Sequence, residues 1–233
     1  MVPDDTILAS GVTGAALVKE APLSEDDALA LLRRHDLPAS AIQSIAFQGE
    51  LLKNPKIRVA LAEHPQAPRH ISMSLVKRLF TFDLMRVALA PAAASDVRLA
   101  AEEALITRLE TISAGEKMSL ARRASGRVAG ALLRDPDRRV MRTALDNSRL
   151  TETILLKALM AANAQETLVE AVCSHQKWHL RRDVQIALLM NAKTPEAQAL
   201  RLARALPPQM ARNVIDDSHL PEAVKLRLRQ EIG

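Results

Sequence analysis

The sequence predicts an all-α fold, built as a right-handed solenoid of short antiparallel helical hairpins. Apolar residues make up 48% of the chain but aromatic residues only 2%, so alanine and leucine supply most of the core, as is typical of helical proteins. Proline and short polar residues interrupt the chain roughly every 10 to 20 residues, with a 3.6-residue apolar period between the breaks. Similar segments also recur along the chain.

The N-terminal part of the chain differs from the rest. Residues 1–22 contain proline and glycine and show no sustained period, which predicts a loose tail or an irregular cap. The first helix is predicted to begin at Ser24, because its hydroxyl can accept a hydrogen bond from a backbone N–H of the first turn that has no partner within the helix. Asp27 lies three residues later, at the spacing of a capping box. It ends before Pro38, which opens the next helix. Residues 23–233 are therefore predicted to form one helical array.

Further helix boundaries follow from proline and from capping residues. Proline fits the first turn of a helix, where its missing N–H is not needed, and Asn, Asp, Ser or Thr caps that turn. These signals predict about fourteen short helices. The boundaries are Asn54-Pro55, Pro65, Pro68, Pro91, Ser95-Asp96, Ser113, Asp135-Pro136, Thr151, Thr194-Pro195, Pro207-Pro208 and Pro221.

Two kinds of segment alternate along the chain. "PEAQALRL" (195–202) and "PEAVKLRL" (221–228) agree at six of eight positions, and "TETILLKAL" (151–159) follows the same pattern. "NPKIRVALAEHP" and "DPDRRVMRTALDN" share a charged helix start, a valine and an Ala-Leu pair. A single hairpin of this kind cannot bury its apolar faces, whereas stacked neighbours can. The recurring positions predict buried contacts between repeats at Val140, Leu155, Leu159, Leu200 and Leu226.

The pattern of Asn/Asp-Pro, Arg-Val, Ala-Leu and Thr/Pro-Glu over roughly residues 38–230 resembles bacterial HEAT-like repeats, including the leucine-rich-repeat-variant type. The resemblance implies a helical solenoid and specifies no function. Some variant-repeat proteins carry an N-terminal cysteine cluster that binds an iron–sulfur centre. This sequence has no such cluster, so we expect no cofactor.

The cysteine content and the N-terminus indicate a reducing compartment. Cys173 is the single cysteine, which excludes an intramolecular disulfide. Asp4 and Asp5 stand where a signal peptide carries Lys or Arg, and no apolar run approaches the roughly 20 residues of a membrane helix. We therefore expect a cytoplasmic protein without a membrane partner.

The positive charge is concentrated in one segment. Residues 116–142 hold eight Lys or Arg against three acids, a net charge of +5 that equals the charge of the whole chain. Seven of the eight are arginine, which favours bidentate binding of phosphate or carboxylate. The alternative is a solvated face whose charges are neutralised by Asp135, Asp137 and neighbouring repeats. The candidate anion- or nucleic-acid-binding residues are Arg122, Arg123, Arg127, Arg134, Arg138, Arg139 and Arg142.

The segment "CSHQKWH" contains a weaker candidate. Cys173, His175 and His179 lie close together, and the two histidines have the i, i+4 spacing of a zinc pair on a helix. No carboxylate has matching spacing, and exposed polar residues at a turn explain the pattern better, so we expect no metal. Trp178 is interpreted as a packing anchor rather than an exposed stacking platform.

Three functions are compatible with this sequence. The first is a non-enzymatic scaffold that binds a protein or peptide on a concave face, which stacked hairpins provide without catalytic residues. The second is a nucleic-acid-binding module that uses the basic segment. The third is a DNA glycosylase, because HEAT-like alkylpurine DNA glycosylases have a similar length and charge. Those enzymes place aromatic side chains and a carboxylate around a damaged nucleotide. Trp178 and Asp183 are the only such pair here, and five helical residues apart they point in different directions.

Overall fold

The computed structural model describes residues 23–232, and within that range it contains fifteen α-helices, one 3-10 helix and no β-strand. The predicted all-α class is confirmed. The predicted tail, residues 1–22, lies outside the described residues. None of the described helices is long and apolar enough to cross a membrane.

The chain divides into two compact units, Met1–Arg108 and Leu109–Gly233. In the first unit α3 is central, because it contacts α1, α4 and α5, while α4 and α5 each pack on α6. The described helices of this unit are α1 (Glu25–Leu32), α2 (Ala39–Phe47), the 3-10 helix Leu51–Lys53, α3 (Pro55–Glu63), α4 (Arg69–Val76), α5 (Thr81–Leu89) and α6 (Ser95–Arg108).

In the second unit the main contacts join helices that are adjacent in sequence or separated by one helix. Thus α7 contacts α8 and α9, α8 contacts α10, α10 contacts α12, and α12 contacts α14. Helices separated by one position therefore lie side by side. The helices of this unit are α7 (Ala114–Arg123), α8 (Gly126–Leu132), α9 (Arg138–Leu145), α10 (Glu152–Leu159), α11 (Glu166–Ser174), α12 (Arg182–Met190), α13 (Glu196–Ala205), α14 (Pro208–Asp217) and α15 (Glu222–Ile232).

Four of the predicted helix starts have the expected capping residue in the structure. Ser24, Asn54 and Thr151 each accept a backbone N–H from the first turn of α1, α3 and α10. Ser113 forms a reciprocal capping box with Glu116 at the start of α7. These side chains satisfy N–H groups that have no partner within the helix.

The start of α9 lies further along the chain than predicted. Asp137, not Asp135, caps this helix, by accepting the N–H of Arg139. Asp135 instead accepts the N–H of Asp137 and pairs with Lys117 at 2.9 Å, with both side chains largely buried. Asp135 therefore ties the turn before α9 to α7.

The side-chain amide of Asn147 connects the end of α9 with the end of α7. Asn147 lies two residues after the last residue of α9. Its Oδ1 accepts the N–H of Arg149 at 2.8 Å, and its Nδ2 donates to the carbonyl oxygens of Ala121 and Ala124 at 2.8 and 3.2 Å. Both carbonyls belong to the C-terminal end of α7. The residue is 2% exposed, so these bonds form out of contact with water.

The same arrangement recurs with Asn191 and with His64. Asn191 Oδ1 accepts the N–H of Lys193 at 2.9 Å, and its Nδ2 donates to the carbonyl of Leu159 at 2.8 Å. His64 uses ring nitrogens in place of the amide: Nδ1 accepts the N–H two residues later, and Nε2 bonds the carbonyl of Arg34 at 2.9 Å. Each side chain bonds a backbone carbonyl that lies 23 to 32 residues earlier in the chain.

Glycine allows a close approach between α8 and α10. A Cβ atom on Gly130 would overlap the side chain of Ile154, and one on Gly126 would overlap the carbonyl oxygen of Arg149. By contrast, a Cβ on Gly115 would meet nothing closer than 4.0 Å. The two glycines of α8 therefore allow its close approach to α10 and to the turn before α10.

Burial follows a common register in the three related helices α10, α13 and α15. Leu155 and Leu159 of α10 are fully buried as predicted, as is Val140 of α9, and Leu200 of α13 is partly buried. The prediction for Leu226 is wrong, because this side chain is 55% exposed and Leu228 is buried instead. The buried stripe of α15 runs through Leu228 rather than through its leucine neighbour two residues earlier.

Candidate functional site

The seven candidate arginines all lie on the surface of α7, α8, α9 and the turn between α8 and α9. Arg122 and Arg123 are in the last turn of α7. Arg138 and Arg142 are one turn apart on the same face of α9, and Arg142 is in its last turn. The structure thus distributes these residues over successive helices.

Acidic side chains neutralise part of this surface. Arg138 pairs with Glu170 of α11 at 3.6 Å, and Arg139 pairs with Asp137 at 2.9 Å. The hydrogen bond from the Arg139 guanidinium holds the pKa of the Asp137 carboxyl below its usual range. Arg127 is also engaged. The alternative of a face neutralised by acidic side chains therefore describes Arg138 and Arg139.

Four arginines remain without an ion-pair partner within residues 23–232. All four are exposed, and no carboxylate of the described chain lies within 4.0 Å of their guanidinium groups. Three of them occupy helix C-terminal turns, where a positive charge also balances the partial negative charge of the helix end. These residues are Arg122, Arg123, Arg134 and Arg142.

The side chains of the candidate metal site are engaged within the protein. His175 Nδ1 accepts the N–H of Lys177, and His175 Nε2 bonds Asp146 Oδ1 at 3.1 Å. His179 donates from Nδ1 to the carbonyl of His175 at 2.7 Å. His175 thus occupies the same kind of position as Asn147 and Asn191, at the end of a helix.

Cys173 does not complete a metal site. Its side chain is buried, and burial raises the pKa of its thiol to about 11, so the metal-binding thiolate is disfavoured at neutral pH. Among the described residues no group of three His, Cys, Asp or Glu side chains converges on a point where an ion would bind.

Trp178 is a packing anchor, as predicted. It is 1% exposed, and its indole N–H donates to the carbonyl of Leu145 at 2.9 Å. Lys177 Nζ covers the ring at 4.0 Å from its centroid. Asp183 lies on the surface in the first turn of α12. In this structure the indole ring is therefore not available to stack on a nucleotide beside that carboxylate.

Two apolar grooves were not predicted from the sequence. The larger lies in the second unit at the C-terminal ends of α10 and α12, has a volume of about 350 Å³ and is flanked by His219. Met160, which is 69% exposed, and Met190 line it together with alanines. The sequence feature that could have indicated this groove is the position of both methionines at the ends of apolar helices.

The second groove lies in the first unit and has a volume of about 260 Å³. Phe47 forms part of its wall and is 74% exposed. Phe80 and Phe82 are exposed as well, so three of the four aromatic residues of the chain lie on the surface of this unit. The small number of aromatics in the composition gave no indication of this placement.

Comparison of the chain with protein-family models, curated proteins and solved structures finds no match. The resemblance to HEAT-like repeats accordingly stays a prediction, and function is inferred from the residues themselves.

Proposed function

We propose that the protein is a non-enzymatic helical-repeat scaffold, a right-handed solenoid that binds a protein or peptide partner on its concave face. The observation that carries the proposal is the groove between α10 and α12, which receives an apolar side chain of the partner. Its lining is mostly alanine and methionine, and methionine adapts to differently shaped partners because it is unbranched and flexible. A volume of about 350 Å³ accommodates a large apolar side chain.

The recurring side-chain bonds support the stacked arrangement. Asn147, Asn191 and His64 each connect a helix end to a backbone carbonyl that lies 23 to 32 residues earlier. Because both polar ends of these side chains are bound, they hold neighbouring hairpins together and are not free for chemistry.

The test uses protein purified from its native cells at mild salt, with and without nuclease. A partner should co-purify with the unmodified chain after nuclease treatment and should be lost from the Met160→Glu variant. Leu99→Glu is the control, because it places the same charge at an exposed apolar position of the other unit. Retention of all partners by the Met160→Glu variant contradicts the proposal.

A second candidate function is nucleic-acid binding through Arg122, Arg123, Arg134 and Arg142, whose charges are not neutralised within the described chain. Four phosphate contacts to duplex DNA give a slope of log affinity against log salt of roughly −3.6. Binding of this kind is largely independent of sequence, because phosphates carry no base information. Replacing Arg122 and Arg142 with Gln should flatten the slope by roughly two units, and the scaffold function predicts no effect.

A further inference from the structure

The second groove, in the first unit, has an apolar floor and a polar wall. Leu52, Ile71 and Leu75 contribute to the floor, from the 3-10 helix and from α4. Phe47 lies opposite, at the end of α2, with most of its ring in contact with solvent. Such an exposed aromatic beside an aliphatic cleft favours burial of an apolar side chain from a partner.

One wall of the groove consists of hydrogen-bond donors. His70, Ser74 and Arg78 follow each other at intervals of four residues along α4 and just beyond it, and all three are exposed. Their side chains have no hydrogen-bond or ion-pair partner within residues 23–232. The spacing places them along one side of the helix, at about 6 Å per step.

The surroundings of the groove are positively charged. No carboxylate lines it among the described residues, and α2 carries no charged residue at all. Residues 69–78 contain no acid. Arg69 pairs with Asp96 at 2.6 Å, so the positive charge on this side comes from Lys77 and Arg78. The nearby Glu50 is engaged by Lys53 at 2.7 Å. The groove therefore combines an apolar floor with one cation, Arg78, that has no acidic partner within residues 23–232.

We infer that this groove binds an acidic peptide, in which an apolar side chain is flanked by carboxylates. The apolar side chain packs between Phe47 and the floor, and a flanking carboxylate accepts hydrogen bonds from the Arg78 guanidinium. A nucleic acid fits this surface less well, because its backbone requires several aligned cations and the floor is aliphatic rather than aromatic. The inference rests on the proposed scaffold function and names the chemistry of a partner at a second groove.

The probe is a fluorescent six-residue peptide in which Leu-Phe is flanked on each side by two Glu, titrated into the full chain by anisotropy. It should bind at least about tenfold more tightly than a peptide with Lys flanks and one with Gly-Ser in place of Leu-Phe. Arg78→Glu should reduce its affinity about tenfold and raise that of the Lys-flanked peptide. Phe47→Ala should weaken both peptides that contain Leu-Phe and leave the Gly-Ser peptide unchanged. The control Arg212→Glu makes the same change of net charge at an exposed position of the other unit and should have little effect.

Equal affinity for the three peptides, or an equal loss with Arg78→Glu and Arg212→Glu, overturns the inference. The inference is also overturned if single-stranded DNA displaces the peptide and its binding depends on Arg78. The same holds if sedimentation shows that the protein is a dimer and that the Phe47→Ala variant is not. Met160→Glu should leave peptide binding unchanged. A failure of the scaffold proposal at the groove between α10 and α12 is thereby distinguished from a failure here.

Discussion

The substitution Asn147→Asp tests whether the side-chain amides at helix ends hold neighbouring hairpins together. It changes one NH2 group to oxygen with almost no change in shape. In the native protein that NH2 donates to the carbonyls of Ala121 and Ala124 at 2.8 and 3.2 Å. A carboxylate oxygen in its place faces two carbonyl oxygens and has nothing to donate. Only the bond accepted from the N–H of Arg149 is retained.

The expected cost follows from the buried position. Two hydrogen bonds are lost at about 1 kcal/mol each, and the carbonyls and the new charge lack partners in a site that is 2% exposed. Together these effects should lower the free energy of unfolding by roughly 3 to 5 kcal/mol. For a chain of this size that corresponds to a fall of roughly 6 to 20 °C in Tm.

The loss should depend on pH. Burial, with one carboxyl oxygen facing two carbonyl oxygens, raises the pKa of the introduced carboxyl in the folded state above its unfolded value of about 3.9. The destabilisation is therefore complete at neutral pH and declines as the pH falls through the raised folded value toward the unfolded one. At low pH the protonated carboxyl can donate to one of the two carbonyls.

The assay is thermal and urea unfolding followed by circular dichroism at pH 7 and pH 4.5. Asn163→Asp is the matched control, since Asn163 is exposed in the turn after α10 and the chemical change is identical. The control should change stability by less than about 0.5 kcal/mol. Equal unfolding midpoints for the two variants would refute the role assigned to Asn147.

Three further predictions concern packing and reactivity. Gly130→Ala should destabilise the protein by roughly 1 to 3 kcal/mol, because its methyl group overlaps an α10 side chain, whereas Gly115→Ala should be neutral or slightly stabilising in urea unfolding. Leu228→Ala should lower the free energy of unfolding by roughly 2 to 4 kcal/mol, because Leu228 is buried, and Leu226→Ala by less than about 0.5 kcal/mol, because Leu226 is exposed. Equal losses for the two variants would show that the assigned register of α15 is wrong. Burial raises the pKa of the Cys173 thiol to about 11, so iodoacetamide at pH 8 should alkylate the folded protein roughly 100-fold more slowly than the unfolded chain. The alkylation rate of the folded protein should rise toward pH 11, and similar rates for the folded and unfolded chains at pH 8 would contradict this prediction.

The helix boundaries were predictable because their signals act over only a few residues. Ser24, Asn54, Ser113 and Thr151 cap the first turn that directly follows them, so the sequence alone contains the interacting groups. The shift at α9 arose where two aspartates compete for one turn, and the choice depends on Lys117, which is distant in sequence.

Features that depend on neighbouring hairpins were not predictable in the same way. The spacing of His175 and His179 is compatible with a metal pair, but Asp146, which is 29 residues earlier, engages His175 in the folded chain. The neutralisation of Arg138 likewise requires Glu170 from another helix. For Leu226, apolar character alone did not show which of the closely spaced leucines faces the core. Each of these outcomes depends on which helices become neighbours.

The short sequence distance between packed helices of Leu109–Gly233 has a kinetic consequence. Its main contacts join helices that are adjacent or separated by one helix, so the relative contact order of this unit is low. Closing loops of about 30 residues costs little more entropy than closing shorter ones, so contacts between such neighbouring helices can form early in folding. A group of neighbouring helices in this unit can therefore open locally while more distant helices keep their contacts, and amide hydrogen exchange should report such local openings before global unfolding.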